Sequence, residues 1–390
     1  MKIIRQTLSI FLLSALFGSF CACSNSEGEK DLGISQPSAT ETVTAEQSTE
    51  EETTVPVKDE LDEMLESMTL EEKVGQMFYV RCPDVGAIEY VEKYHLGGFI
   101  LFGRDFEGKT VDEITADIAG YQSQAKIPLL IGVDEEGGTV VRVSDNPNLR
   151  ESAFPSPKTV YQDGGWEAIE ATETEKADLL LSLGINVNMA PVCDITSNGD
   201  SFMYDRSFSG DVEEVCTFVT KVVGIYNQKR LGSVLKHFPG YGDNTDTHQD
   251  MSYDAKPYED FESTDFLPFE AGIAANADAI LVEHNIVASM DEDYPASLSE
   301  KVHGILRNEL NFDGVIMTDD LVMEAIKKYT GTDMAAVFAA KCGNDILCCT
   351  DVEVQYPAVL EAAQSGEIPE EQINASVKRI LIWKQHLGLL

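Results

Sequence analysis

The chain has 390 residues, with 68 acidic side chains against 28 basic ones and a formal charge of -40. So acidic a body excludes nucleic acid and anionic lipid surfaces as electrostatic partners, since both would be repelled. Its length allows one large core or two modest ones.

In chain order, Lys2 and Arg5 precede the apolar run Leu8 to Phe20, and Cys-Ala-Cys-Ser follows at once. Charged, apolar, then small is the order of a secretory signal. The run is too short for a permanent span, which takes roughly 20 residues. A cysteine directly after such a core resembles a bacterial lipoprotein signal. Cys23, preceded by small Ala22, is the expected lipidation site, and Cys21, after bulky Phe20, is the weaker one. The expected location is therefore outside the cytoplasm, lipid-anchored to the outer face of the bacterial cytoplasmic membrane. Ser24 to Asp59 is rich in Ser, Thr, Glu and Gln and nearly devoid of large apolar residues, so it reads as an acidic, disordered tether. The expected division is a signal over 1–23, a tether over 24–59 and one folded unit over 60–390.

Thr69 to Glu72 has the form of a capping box and predicts a helix start just before Lys73 to Tyr79. Uninterrupted apolar or small runs then recur at Gly75–Val80, Gly98–Phe102, Leu129–Val133, Val187–Ala190, Ser233–Leu235, Ala279–Val282, Val315–Met317 and Ile346–Cys349. Such runs suit parallel strands buried on both faces. Eight of them with helix-length connections predict an α/β fold, a (β/α)8 TIM-type barrel, with an open doubly wound sheet as the alternative. Asp134, Lys236, His237, Glu283 and Asp319 each follow one of these runs, the barrel pattern for a site at one end. The long stretch from Val133 to Val187 must hold extra loop structure, with turns expected around Pro147 and at Asp163 to Trp166. Glu370 to His386 reads as a terminal helix closed by Gly388. The cysteines beyond the signal, at 82, 193, 216, 342, 348 and 349, show no metal-ligand spacing and are expected as buried thiols. No dinucleotide fingerprint is present.

Several side chains carry chemistry. Asp319, at the end of the Val315 run, suits a nucleophile that divides one difficult displacement into two. An N-cap for a helix over Leu321–Lys328 is the competing role, which Asp320 could fill instead. His248 follows Asp246 by two residues on a Gly-punctuated loop. An imidazole there suits proton transfer near neutral pH, with the carboxylate orienting it. Lys236 and His237 offer donors to sugar hydroxyls, and Asp134 an acceptor. Arg142 and Arg206 suit amide or carboxylate oxygens, unless Arg142 pairs with Glu135 or Glu136 and Arg206 with Asp205.

The motifs IGVDEEGGTVVR (131–142), NVNMAPVCDI (186–195), DRSFSGD (205–211), KHFPGYGDNTDTH (236–248), PASLS (295–299) and GVIMTDDLVMEAI (314–326) together resemble glycoside hydrolase family 3, in its bacterial cell-wall-recycling β-N-acetylhexosaminidase form. The resemblance runs from about Leu61 to Leu390. It implies a single catalytic barrel, retained anomeric configuration, Asp319 as nucleophile, His248 as mobile-loop acid/base and Asp246 as its dyad partner. It also implies Asp134, Arg142, Arg206, Lys236 and His237 as the residues holding N-acetylglucosamine. Tyr241 stands where the family commonly has histidine, and the segment from Gly242 to Asp246 is one residue short of its common form.

Hydrolysis of terminal β-N-acetylglucosaminides is thus the expected reaction, on saccharides of cell-wall type. No cofactor and no metal is implied, and no nucleic-acid partner. Because the acid/base is an uncharged imidazole, phosphate could also approach the glycosyl-enzyme, so phosphorolysis is a variant. A β-glucosidase of the same family and a catalytically decayed saccharide-binding lipoprotein are the others.

Overall fold

The computed structural model describes residues 60–242, 252–323, 326, 329–330 and 334–390. The expected signal and tether, Cys23, Asp246 and His248 lie outside the described residues. Eight parallel strands, β1 (Phe78–Arg81), β2 (Gly98–Leu101), β3 (Leu130–Val133), β4 (Val187–Asn188), β5 (Gly232–Phe238), β7 (Ala279–Val282), β9 (Val315–Thr318) and β10 (Leu347–Cys349), run in the order β10-β1-β2-β3-β4-β5-β7-β9. A parallel bridge between Met317 and Ile346 links β9 back to β10 and completes the ring. This is the expected (β/α)8 barrel, and the open sheet is excluded. The strands are short and almost wholly buried because barrel interior and helices cover both faces.

All eight apolar runs fall on strands. The first begins later than its pattern suggests: Gly75 and Gln76 close the helix Leu70–Gln76, and β1 starts at Phe78. That helix carries the expected capping box, with Glu72 N donating to Thr69 Oγ1 at 3.2 Å and Thr69 N to Glu72 Oε2 at 3.0 Å. Inside the barrel, Tyr79 lays its ring toward β2 and β3. A Cβ on Gly98 would come within 2.7 Å of that ring, and one on Gly132 would overlap the Tyr79 hydroxyl. Glycine at both positions makes the space one large side chain occupies.

The stretch between β3 and β4 holds a loop and the helix Pro157–Ser182. Asp163–Trp166 is a kink inside this helix rather than a turn, with Gly165 at φ 64°. The kink lets Trp166 pack on Tyr161 and Phe208, ring centroids 4.5 and 5.6 Å away. A two-stranded parallel ladder, β6 (Tyr253–Asp254) with β8 (Ile286–Val287), lies beyond β5. After Asp319 the chain makes a turn and bend over Leu321–Met323, so no helix begins at Leu321. The terminal helix Glu370–His386 is present, and Gly388 follows at φ 74°. The six described cysteines are free thiols, all buried except half-buried Cys216. Among the described residues, no helix is long and apolar enough to cross a membrane.

Candidate active site

The C-terminal ends of β1, β3, β5 and β9 open into a cavity of about 650 Å³ that Asp134, Arg142, Arg206, Lys236, His237 and Asp319 all line. That volume suits a sugar-sized ligand. Six of the eight residues expected to catalyse or bind are thereby brought together. The other two, Asp246 and His248, lie outside the described residues.

Lys236, the fifth residue of β5, is almost fully buried, and its Nζ donates to Asp134 Oδ1 at 2.6 Å and lies 2.7 Å from Glu136 Oε1. Glu136 also takes a fork from Arg206, Nε to Oε2 at 3.0 Å and Nη2 to Oε1 at 2.8 Å. Arg206 thus pairs with Glu136 and not with neighbouring Asp205. Burial pushes the Glu136 carboxyl up, but Lys236 and Arg206 outweigh it and hold the group well below the usual carboxylate range. Burial likewise pulls the Lys236 ammonium down, and Asp134 and Glu136 reverse this. Lys176, itself paired with Glu173 at 2.7 Å, fixes the Glu136 carbonyl at 3.0 Å. Two of the three Lys236 N–H donors are spent on Asp134 and Glu136, so one is left among the described residues for a ligand hydroxyl.

His237 is committed differently from its sequence expectation. Asp194 Oδ2 accepts from both its backbone N–H at 3.1 Å and its Nδ1 at 2.7 Å, while Arg206 Nη2 reaches its Nε2 at 3.0 Å. A carboxylate only accepts and a guanidinium only donates, so the ring carries its proton on Nδ1 and accepts at Nε2. His237 therefore offers no ring N–H to a sugar hydroxyl; it positions Arg206. Asp194 Oδ1 also accepts from Tyr241 N at 2.7 Å, and the Tyr241 ring stands edge-on to His237 at 5.3 Å. Tyr241 is buried, so the departure from the family's histidine is absorbed by packing and a backbone hydrogen bond.

Asp319 is half-buried at the cavity wall. Its backbone N–H donates to Val282 O at 3.1 Å, and its Oδ1 accepts from Asp320 N at 2.7 Å. Asp320 also lines the cavity, but is engaged differently. Its carboxylate accepts from Val322 N at 3.0 Å and from Thr350 Oγ1 at 2.6 Å, holding the turn. His284 Nε2 donates to Asp320 O at 3.1 Å, and Ser297, within the PASLS motif, donates to His284 Nδ1 at 2.7 Å. The turn is thus held by Asp320, and Asp319 takes no part in the hydrogen bonds to Val322 and Thr350 that hold it. Glu283, one residue past β7, is fully buried, and neither of its carboxyl oxygens has a partner among the described residues. Burial, then Asp194, Asp254 and Asp319, push its carboxyl far above the ordinary value.

Arg142 pairs with neither glutamate through its guanidinium. Its backbone N–H donates to Glu135 Oε2 at 2.8 Å, and Glu135 also accepts from Val143 N at 2.7 Å, tying down the loop after β3. Sequence reasoning missed Glu136, Asp194 and Arg81. Glu136 sits two residues after Asp134, on the same side of an extended chain, and Asp194 is the last residue but one of a quoted motif. Arg81 gave no signal beyond its place at a strand end. Among the described residues, no group of three or more His, Cys, Asp or Glu side chains is arranged to hold a metal ion.

The arrangement provides a carboxylate beside a buried, charge-balanced platform for hydroxyl groups, open to a sugar-sized cavity. Comparisons with known proteins give the family of the chain. The model of the glycosyl hydrolase family 3 N-terminal domain matches residues 69–382. A β-hexosaminidase of Tolumonas auensis is 32% identical over 275 residues, which are 69% of this chain and 80% of its own length. The β-hexosaminidase LpqI of Mycobacterium tuberculosis is 30% identical over 326 residues, 80% of this chain and 82% of its own. Among solved structures, a family 3 β-N-acetylglucosaminidase from Paenibacillus superposes with a TM-score of 0.77 at 32% identity, over 83% of this chain and 63% of that one. M. tuberculosis LpqI superposes at 0.73 and 28% identity, over 84% and 96%. With the family model spanning the whole barrel, and with β-hexosaminidases about 30% identical among its relatives, this chain belongs to glycosyl hydrolase family 3 and is a glycoside hydrolase.

Proposed function

We propose that the protein removes terminal β-linked N-acetylglucosamine from cell-wall-type saccharides by a two-step, retaining displacement. A carboxylate oxygen of Asp319 bonds to the anomeric carbon as the bond to the leaving oxygen breaks, and His248, oriented by Asp246, supplies that oxygen's proton. Water, deprotonated by His248, then displaces Asp319 and releases the sugar with its original configuration. Asp134 and Lys236 hold ring hydroxyls, while Arg206 is aimed by Glu136 and His237. The observation that carries the reading is the difference between two aspartates that both line the cavity: the Asp320 carboxylate is engaged by Val322 N and Thr350 in holding the turn, while Asp319 stands at the end of β9 in the same cavity as Lys236. The names of the relatives support the N-acetyl sugar. The order of the first residues supports export and lipid anchoring through Cys23.

The test is product analysis with an aryl β-N-acetylglucosaminide and the matching β-glucoside, with and without phosphate. Free N-acetylglucosamine in both buffers, with the glucoside at least about a hundredfold slower, supports the proposal. Preferred turnover of the glucoside, or binding without turnover, contradicts it.

A further inference from the structure

Glu283 is a carboxyl group that the proposed mechanism does not use, and its setting is unusual. It stands one residue past β7 with no exposed surface, and neither Oε1 nor Oε2 has a hydrogen-bond partner among the described residues. Its backbone is fixed on both sides: the N–H donates to Phe238 O on β5 at 3.0 Å, and the carbonyl accepts from Ser297 N at 3.0 Å. The strand end is thus pinned with its carboxyl inside.

The strands run β5-β7-β9, so Glu283 lies between two parts of the active site. On the β5 side is Asp194, which holds the backbone and Nδ1 of His237 and through that ring aims Arg206. On the β9 side is Asp319. Val282 is in register with Thr318, so the residues that follow, Glu283 and Asp319, stand side by side on neighbouring strands. The charged groups that face Glu283 from the surrounding elements are Asp194 after β4, Asp254 on β6, Asp265 at the end of the helical segment Phe261–Asp265, and Asp319. Lys256 spends its ammonium on Asp265, at 2.9 Å to each oxygen, and His237 is spent on Asp194 and Arg206. A fully buried, unpartnered carboxylate facing four other carboxyl groups is not a tenable charge, so Glu283 is neutral. Burial and those neighbours hold its proton far above the usual carboxylate range.

We infer that Glu283 is a positioning residue of the active site: a neutral spacer between the Asp194 carboxylate, which holds His237 and Arg206, and the Asp319 carboxylate, which attacks the sugar. The inference rests on the proposed glucosaminidase reading, because it gives Glu283 a part in that displacement. A neutral group there lets two carboxylates stand on either side of one strand end. A third negative charge would press both from the positions their hydrogen bonds define. The site therefore has a built-in alkaline limit, reached when rising pH takes the proton from Glu283.

The test is the pH dependence of glycosyl-enzyme formation from a dinitrophenyl β-N-acetylglucosaminide in wild type, Glu283→Gln and Glu283→Asp, at pH values where each is folded by circular dichroism. This leaving group needs no proton, so His248 does not shape the step. Relative to its own rate at about pH 6, wild type should fall about tenfold or more by about pH 10, as should Glu283→Asp, while Glu283→Gln stays within about twofold. The same fall in wild type and Glu283→Gln, or none in wild type, overturns the spacer. A protonated-carboxyl infrared band at neutral pH, present in wild type and lost in Glu283→Gln, is the expected signature, and its absence from wild type also overturns it. Calorimetric binding of N-acetylglucosamine needs no turnover. Through Asp194, His237 and Arg206 it should weaken about tenfold over the same pH range in wild type and stay level in Glu283→Gln. Equal pH dependence in both overturns the inference even if no glucosaminide is cleaved, an outcome that by itself defeats the parent reading instead.

Discussion

Glu136 is the residue on which the platform depends, since one carboxylate balances both Lys236 and Arg206. Removing one partner from a buried ion cluster typically costs about 3–5 kcal/mol. Glu136→Gln should therefore lower stability by that order in denaturant unfolding and reduce kcat/KM by about a hundredfold or more. The pH dependence has a definite sign. Because the folded carboxyl titrates below its ordinary value of 4.5, its contribution is complete above that pH and shrinks as pH falls further. The gap between wild type and Glu136→Gln should narrow under acid, and a gap constant from pH 7 to 3 would count against the charge-balance account. Glu283 behaves oppositely. Its folded carboxyl titrates far above 4.5, so the unfolded chain ionises first and wild type loses stability as pH rises beyond that value. Glu283→Gln mimics the protonated form, and its melting temperature relative to wild type should climb between pH 5 and pH 8. A flat difference would show that Glu283 is ionised in the folded protein.

The elements were legible in the sequence to the extent that local chemistry decides them. All eight apolar runs are strands, because a barrel strand must be apolar on both faces; the Thr69 capping box and the terminal helix follow from side chains a few residues apart. What could not be read depends on contacts distant in sequence. The Gly165 kink is set by Trp166 packing on Phe208, and the turn after Asp319 by Thr350 reaching Asp320 from beyond β10. Within the site, Asp319, Lys236 and Asp134 were legible from strand ends, whereas the commitment of both His237 nitrogens requires Asp194 and Arg206, brought in by the long loop after β4. At this scale the Tyr79 layer makes a quantitative claim. Gly132→Ala pushes a methyl group into the Tyr79 hydroxyl and should destabilise by about 1–3 kcal/mol. That hydroxyl has no hydrogen-bond partner among the described residues, so Tyr79→Phe alone should be nearly neutral. The double variant should recover part of the loss, a favourable coupling measurable in a double-mutant cycle. Strict additivity would place the strain elsewhere.

Across the whole molecule the dominant feature is charge. A formal net charge of -40 makes the folded protein repel itself, since folding concentrates what the unfolded chain spreads out. Raising ionic strength from about 0.01 M to about 0.15 M shortens the screening length from roughly 30 Å to roughly 8 Å. The melting temperature should rise by several degrees over that range in calorimetry. A fall would mean that favourable surface ion pairs outweigh the repulsion. The same field discourages anionic ligands from approaching.

The central claim is that Asp319 attacks the sugar, and the most direct measurement traps it in the act. A 5-fluoro N-acetylglucosaminyl fluoride slows release of the glycosyl-enzyme, so intact mass followed by peptide mapping locates the bond. The account predicts one sugar residue per chain, on the peptide containing Asp319 and on that side chain, and no adduct in Asp319→Ala. An adduct on Asp320, Glu283 or any other residue would contradict it, as would inactivation-free turnover that yields the inverted anomer.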